Sequence, residues 1–112
     1  MKTFRTLDLA VEFYELILKI EVSGNLKDQL HRAASSIALN LSEGNAKGSL
    51  NEKRHFFQTA YGSFRECQTV FRLLKITEGP VLVHADRLGG CLYKLVNSNI
   101  KNSPNYRRSS DI

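Results

Sequence analysis

Arg54, Arg65 and Arg72 are separated by 11 and 7 residues. At 3.6 residues per turn, those spacings bring all three onto one line of a helix. Gln58 and Gln68 fall beside that line, and Lys75 extends it. Guanidinium groups present planar, multiple donors to phosphate oxygens, so the chemistry such a line suits is docking of a polyanion. Arg107 and Arg108, next to Tyr106, add further positive charge near the C-terminus. The same line can equally be a solvated face, or the partner of the acidic residues Asp8, Glu12 and Glu15 on another helix. A net charge of +5 and a sequence pI near 9.4 favour a nucleic acid among polyanions. Nearly all Phe and Tyr residues fall on apolar seams, which leaves few rings for stacking on bases. Contact with RNA or DNA is therefore expected to run through phosphates, with weak sequence preference and strong salt dependence.

Other chemistry is hard to assemble from this chain. His31, His55 and His84 lie in three separate segments, none with a ligand-type residue three or four positions away on a core face, so no metal site is expected. Glu52 and His55 have the Glu-x-x-His spacing of di-iron bundles, but once only and in what reads as an exposed first turn. The run Gly44 to Ser49 looks superficially like a phosphate-cradling loop, yet it follows a helix and its glycines are wrongly spaced. No nucleophile elbow can be read. Cys67 and Cys91 lack CxxC or Cys/His clustering and read as small buried apolar residues of a cytoplasmic protein. No enzymatic activity and no cofactor are expected. No apolar run approaches the roughly 20 residues that span a bilayer. Charges at Asp8, Glu12 and Glu15 interrupt what a signal peptide would keep apolar, so neither membrane nor secretion is expected.

The elements that must position the arginines follow from apolar periodicity. A chain of 112 residues fits one domain, and its breaks at glycine and at Pro80 and Pro104 divide it into four amphipathic segments and a polar tail. The first helix is expected over 6–21, with Thr6 as its cap. Its polar stripe is narrow (Asp8, Glu12, Glu15, Lys19), while Leu9, Phe13, Leu16 and Ile20 and, beside them, Leu7, Ala10, Tyr14 and Ile17 are apolar, widened by Val11 and Leu18. That is more apolar surface than one bundle face needs, so part of it is expected to meet another copy of the chain. The second helix is expected over 26–43, capped by Asn25, with a seam of Leu30, Ala34, Ile37 and Leu41, and with Gly44 as a left-handed C-terminal residue. Ser49-Leu50-Asn51-Glu52 is a capping box that opens the third helix. Phe57, Ala60, Phe64, Cys67, Phe71 and Leu74 then repeat at threes and fours, and the helix is expected to stop near Thr77. The fourth starts at Pro80 and buries Val81, Ala85, Leu88, Leu92 and Leu95; Gly89-Gly90 within it implies a kink or a close crossing. The expected fold is all-α, an antiparallel up-down-up-down four-helix bundle over 1–102 that assembles as a homo-oligomer, with residues 103–112 a flexible basic tail.

Residues Asp28 to Gly44 read D-Q-L-H-R-A-A-S-S-I-A-L-N-L-S-E-G. They resemble the Q-L-x-R-A-A-x-S-I-x-x-N-I-A-E-G signature of a bacterial four-helix-bundle family, the large-subunit ribosomal RNA intervening-sequence proteins. Phe56 to Cys67 are similar to that family's F-L-x-x-A-x-G-S-x-x-E segment, and Phe4 to Tyr14 resemble its first helix. The resemblance implies a homopentameric barrel with a basic surface and no established enzymatic activity. Relatives include the accessory variability determinant of diversity-generating retroelements, which works with a reverse transcriptase and binds nucleic acid. Ala38 stands where proline is frequent, and Asn45-Ala46-Lys47 replaces a commoner aromatic-plus-arginine run, which removes one expected contact with nucleic acid. The matched polar residues Asn40, Glu43, Ser63 and Glu66 are expected to serve packing between helices, with a binding role as the alternative. Two functions follow: association with RNA or DNA through the arginine line, or a scaffold for a protein partner such as a polymerase.

Overall fold

The computed structural model describes residues 4–101, with side chains through residue 97, and its elements are all helical. They are α1 (Arg5–Leu18), α2 (Gly24–Ala46), α3 (Leu50–Leu73) and α4 (Pro80–Lys101). α1 and α3 each pack against both α2 and α4. The four helices therefore surround one core, with α1 diagonal to α3. Large rings cross that diagonal: Phe13 meets Phe64 and Phe71 at centroid separations of 6.0 and 6.1 Å, and Phe4 meets Phe57 at 6.1 Å. Phe13, Ile17, Leu30, Ile37, Leu41, Leu88 and Leu92 are fully buried, each contributing about 1.5–3 kcal/mol through the loss of apolar surface from water. Most of the expected seam residues form the core, to which Val70 and Thr6 are added, whereas Leu16, Ile20, Leu74 and Leu95 are only partly buried against it. Among the described residues no helix is long and apolar enough to cross a membrane.

Helix ends depart from expectation where side chains and tertiary contacts override local signals. α1 begins one residue before Thr6, with Phe4 at the cap position and no side-chain capping bond. Thr6 is buried inside the first turn. α2 starts at Gly24 after Ser23, again without a side-chain cap, so Asn25 lies within the helix. At its other end α2 does not stop at Gly44 but runs on to Ala46. Gly44 is buried and helical, and a Cβ there would lie 2.7 Å from Phe57 Cε1 and 3.0 Å from Phe56 Cβ. The glycine serves a close approach of α2 to α3, not a left-handed turn. Lys53 Nζ donates to the carbonyls of Gly44 (3.3 Å) and Asn45 (3.1 Å), so a lysine from α3 satisfies the terminal acceptors of α2.

Half of the capping box forms: the Glu52 amide donates to Ser49 Oγ at 3.1 Å, while Glu52 Oε1 accepts from the Ser49 hydroxyl at 3.0 Å rather than from the Ser49 backbone amide. α3 ends at Leu73, four residues earlier than expected. Lys75 takes φ 61°, and the Lys75 and Ile76 amides donate back to Arg72 and Phe71 carbonyls. That bond pair is a Schellman stop with lysine where glycine is usual. Gly79 has φ 115°, open only to glycine, and turns the chain into Pro80. Gly89 proves to be a close crossing, since a Cβ would sit 2.9 Å from the Phe64 ring; Gly90 has nothing within 4 Å.

The surplus apolar surface on α1 is smaller than its sequence suggests. Leu7, Tyr14, Leu16 and Ile20 are partly buried against the core, and Val11 (45%) and Leu18 (50%) remain exposed. Both spare residues lie on the same side of α1, 7 positions apart.

Candidate nucleic-acid interface

The arginine line is a real alignment on α3. Arg65 and Arg72 are exposed and Arg54 is half-buried. Arg65 and Arg72, with Gln68 and Thr69, form one wall of a groove of about 490 Å³ between α3 and α4. Its floor is apolar, made by Phe71, Ile76, Leu82 and Ala85, and Asp86 stands on the α4 side. Among the described residues, neither Arg54, Arg65 nor Arg72 forms an ion pair. The acidic stripe of α1 does not meet them. α1 lies diagonal to α3, and Glu12 instead sits 3.4 Å from His84 Nε2 on α4. The same nitrogen lies 3.0 Å from the Leu9 carbonyl oxygen, which can only accept, so Nε2 carries a proton.

Packing beside the groove steadies Arg65. Tyr61 stacks on Phe64 with the rings 12° from parallel, and the Arg65 guanidinium lies 6.0 Å from the Tyr61 ring centre. A layered column thus runs from the core to the surface, ending in a positive charge steadied by the ring face. Gly89 completes it from the α4 side by giving the Phe64 ring room. Lys75 is exposed but lies beyond the end of α3, so it does not extend the helical line. Arg107 and Arg108, and the tail 103–112 that carries them, lie outside the described residues.

Spacing along α3 could not show Asp86, Leu82 or Ala85 as part of this place, because they depend on which helix lies next to it; Tyr61, four residues before Arg65 on the same helix, was within reach of the sequence. Tyr93 also escaped notice; it is 58% exposed, against the expectation that the rings sit on seams. The signal was present, since Tyr93 follows Asp86 by 7 residues and shares its face of α4.

Several of the remaining polar groups have structural partners, whereas the buried His31 Nε2 has no hydrogen-bond partner. Ser36 of α2 and Ser63 of α3 share a hydrogen bond of 2.9 Å between hydroxyls. Asn40 donates to Ser36 Oγ (3.0 Å) and Ser36 O (2.9 Å) within its own helix, not to a neighbouring one as expected. Glu43 pairs with Lys47 at 3.8 Å. Cys67 is buried and burial pushes its thiol up to about 12, far from thiolate chemistry at neutral pH; Cys91 is half-buried. Among the described residues no three His, Cys, Asp or Glu side chains gather as metal ligands.

Four helices about one core, with a groove between α3 and α4 whose Arg65 and Arg72 form no ion pair among the described residues, define a small all-α protein. The family model of the 23S rRNA-intervening sequence protein matches residues 4–79, and the chain belongs to that family. The match covers α1 to α3 and ends one residue before α4. No curated protein matches the chain.

Proposed function

We propose that the protein is a non-enzymatic, homo-oligomeric bundle of the cytoplasm that associates with RNA or DNA through the α3–α4 groove, without strong sequence specificity. One observation carries the reading: Arg65 and Arg72 stand exposed on one groove wall with no acidic partner within ion-pair distance. Unpaired guanidiniums held in a row suit a polyphosphate more than a protein surface, where they would be expected to find carboxylates. The family's name ties its members to ribosomal RNA genes and agrees with a polynucleotide partner.

The helices run antiparallel, up-down-up-down. Gly44 facing Phe57 and Ser36 facing Ser63 support this, because the numbers rise on α2 as they fall on α3. Copies associate through the outer side of α1, where Val11 and Leu18 are exposed, and a pentamer is the assembly that the family resemblance favours. That side is diagonal to α3, so association there leaves the arginine groove open.

A gel-shift with a generic RNA oligomer at about 50 mM and 200 mM salt tests the function. Affinity falls steeply over that range, and replacing Arg65 and Arg72 together by alanine lowers the slope of log affinity against log salt by roughly 1 to 2. Absent binding, or binding indifferent to salt, overturns the reading. A protein partner recovered equally well by the double variant would favour the scaffold role instead.

A further inference from the structure

We infer that the α3–α4 groove accepts a single-stranded polynucleotide in preference to a duplex, with phosphates on Arg65 and Arg72 and a base stacked on Tyr93; this rests on the nucleic-acid reading above. Two features of the groove and one residue further along α4 are wrong for a duplex and right for an unpaired strand. Its floor is apolar, formed in part by Phe71, Ile76 and Leu82. A duplex keeps its base faces stacked inside and offers a groove like this only phosphates, which gain nothing from an apolar floor. Packed helices lie about 8–10 Å apart, so the furrow between α3 and α4 is narrower than a double helix but wide enough for a splayed base.

Asp86 is the second feature. It faces the arginine wall from α4, and no ion pair joins it to Arg65 or Arg72. A carboxylate here repels a dense phosphate lattice, yet it accepts hydrogen bonds from the amino groups that an unpaired guanine, cytosine or adenine exposes.

Tyr93 is the third. It lies on the same α4 face as Asp86 and Gly89, two turns and one turn further along. Its phenol ring is 58% exposed on the helix whose Gly89 packs against Phe64. Tyr93 lies outside the groove's own lining, two turns beyond Asp86 along α4, where an exposed ring offers the stacking surface by which strand-binding proteins hold bases irrespective of sequence. Along α3, Arg65 and Arg72 are separated by about 10 Å of helix axis, so the strand is held at more than one phosphate while the base turns toward α4.

The test uses the full chain and fluorescence anisotropy with labelled, unstructured RNA and DNA strands of about 20 nucleotides and the matching duplexes, at about 100 mM salt. Both single strands bind at least about tenfold tighter than either duplex. Tyr93→Ala weakens single-strand binding about five- to hundredfold without altering the duplex, and Tyr93→Phe restores it. Because Tyr93 is exposed, neither variant disturbs the core. Equal affinity for duplex and single strand, or a Tyr93→Ala effect on both or on neither, overturns this inference while leaving the phosphate-docking function intact. Failure of every nucleic acid to bind overturns both.

Discussion

Single residues in this protein carry strain or relief that can be measured separately. Lys75 holds φ 61° at the Schellman stop of α3, a conformation that costs a side chain with a Cβ about 1–2 kcal/mol. Glycine avoids that cost but loses more entropy on folding. Lys75→Gly is therefore expected to stabilise the fold by about 0.5–1 kcal/mol, read as a higher midpoint in urea with an unchanged slope. A lower midpoint would show that the lysine side chain contributes more than its backbone costs. The lysine also illustrates a limit of linear spacing: Lys75 follows Arg72 by three residues, yet the chain leaves the helix between them.

At the scale of the element, the glycines of α2 and α3 have opposite meanings that their one-letter code conceals. Gly44 faces Phe57 Cε1 at 2.7 Å and the Phe56 Cβ at 3.0 Å from a would-be methyl. The Phe56 Cβ belongs to a stiff part of α3, so Gly44→Ala forces the two helices apart and is expected to cost about 1–3 kcal/mol, outweighing the roughly 1 kcal/mol gained in helix propensity. Gly62, in α3, has nothing within 4 Å, so Gly62→Ala is expected to stabilise by up to about 1 kcal/mol. Thermal melts of the two variants should move in opposite directions. Movement of both upward would mean that α2 and α3 can separate freely. Capping follows the same division. The Ser49–Glu52 box was legible because both partners lie within one turn, whereas the lysine cap on α2 comes from α3, across a turn.

For the whole molecule, the question is what becomes of the exposed side of α1. Val11 and Leu18, at 45% and 50% exposure, are two apolar residues too many for a helix that already buries Leu9, Ala10, Phe13 and Ile17. The proposed association of copies would remove them from water. Light scattering at micromolar concentration should then report a mass several times the 12.7 kDa of one chain. The double variant Val11→Glu, Leu18→Glu should fall to a single folded chain, since neither side chain supports the core. A wild-type protein that is itself monomeric and well folded would contradict the assembly, though it would leave the arginine groove as it stands.

Periodicity alone determined that the chain is helical, which residues form the seams, and that Arg54, Arg65 and Arg72 share a line, because all of these depend on distances within one helix. The apolar repeat of α3 from Phe57 to Phe71 and the capping box before it were complete in the primary structure. Tertiary structure decided the rest. It placed α4 rather than α1 beside the arginines, which set Leu82, Ala85 and Asp86 across from them, whereas within the chain Glu12 of α1 meets His84 instead. It extended α2 through Gly44, because the contact with Phe57 requires a residue without a side chain inside the helix. A helix knows its own faces from its sequence, but which neighbour each face meets depends on how all four close around one core, and no local spacing encodes that choice.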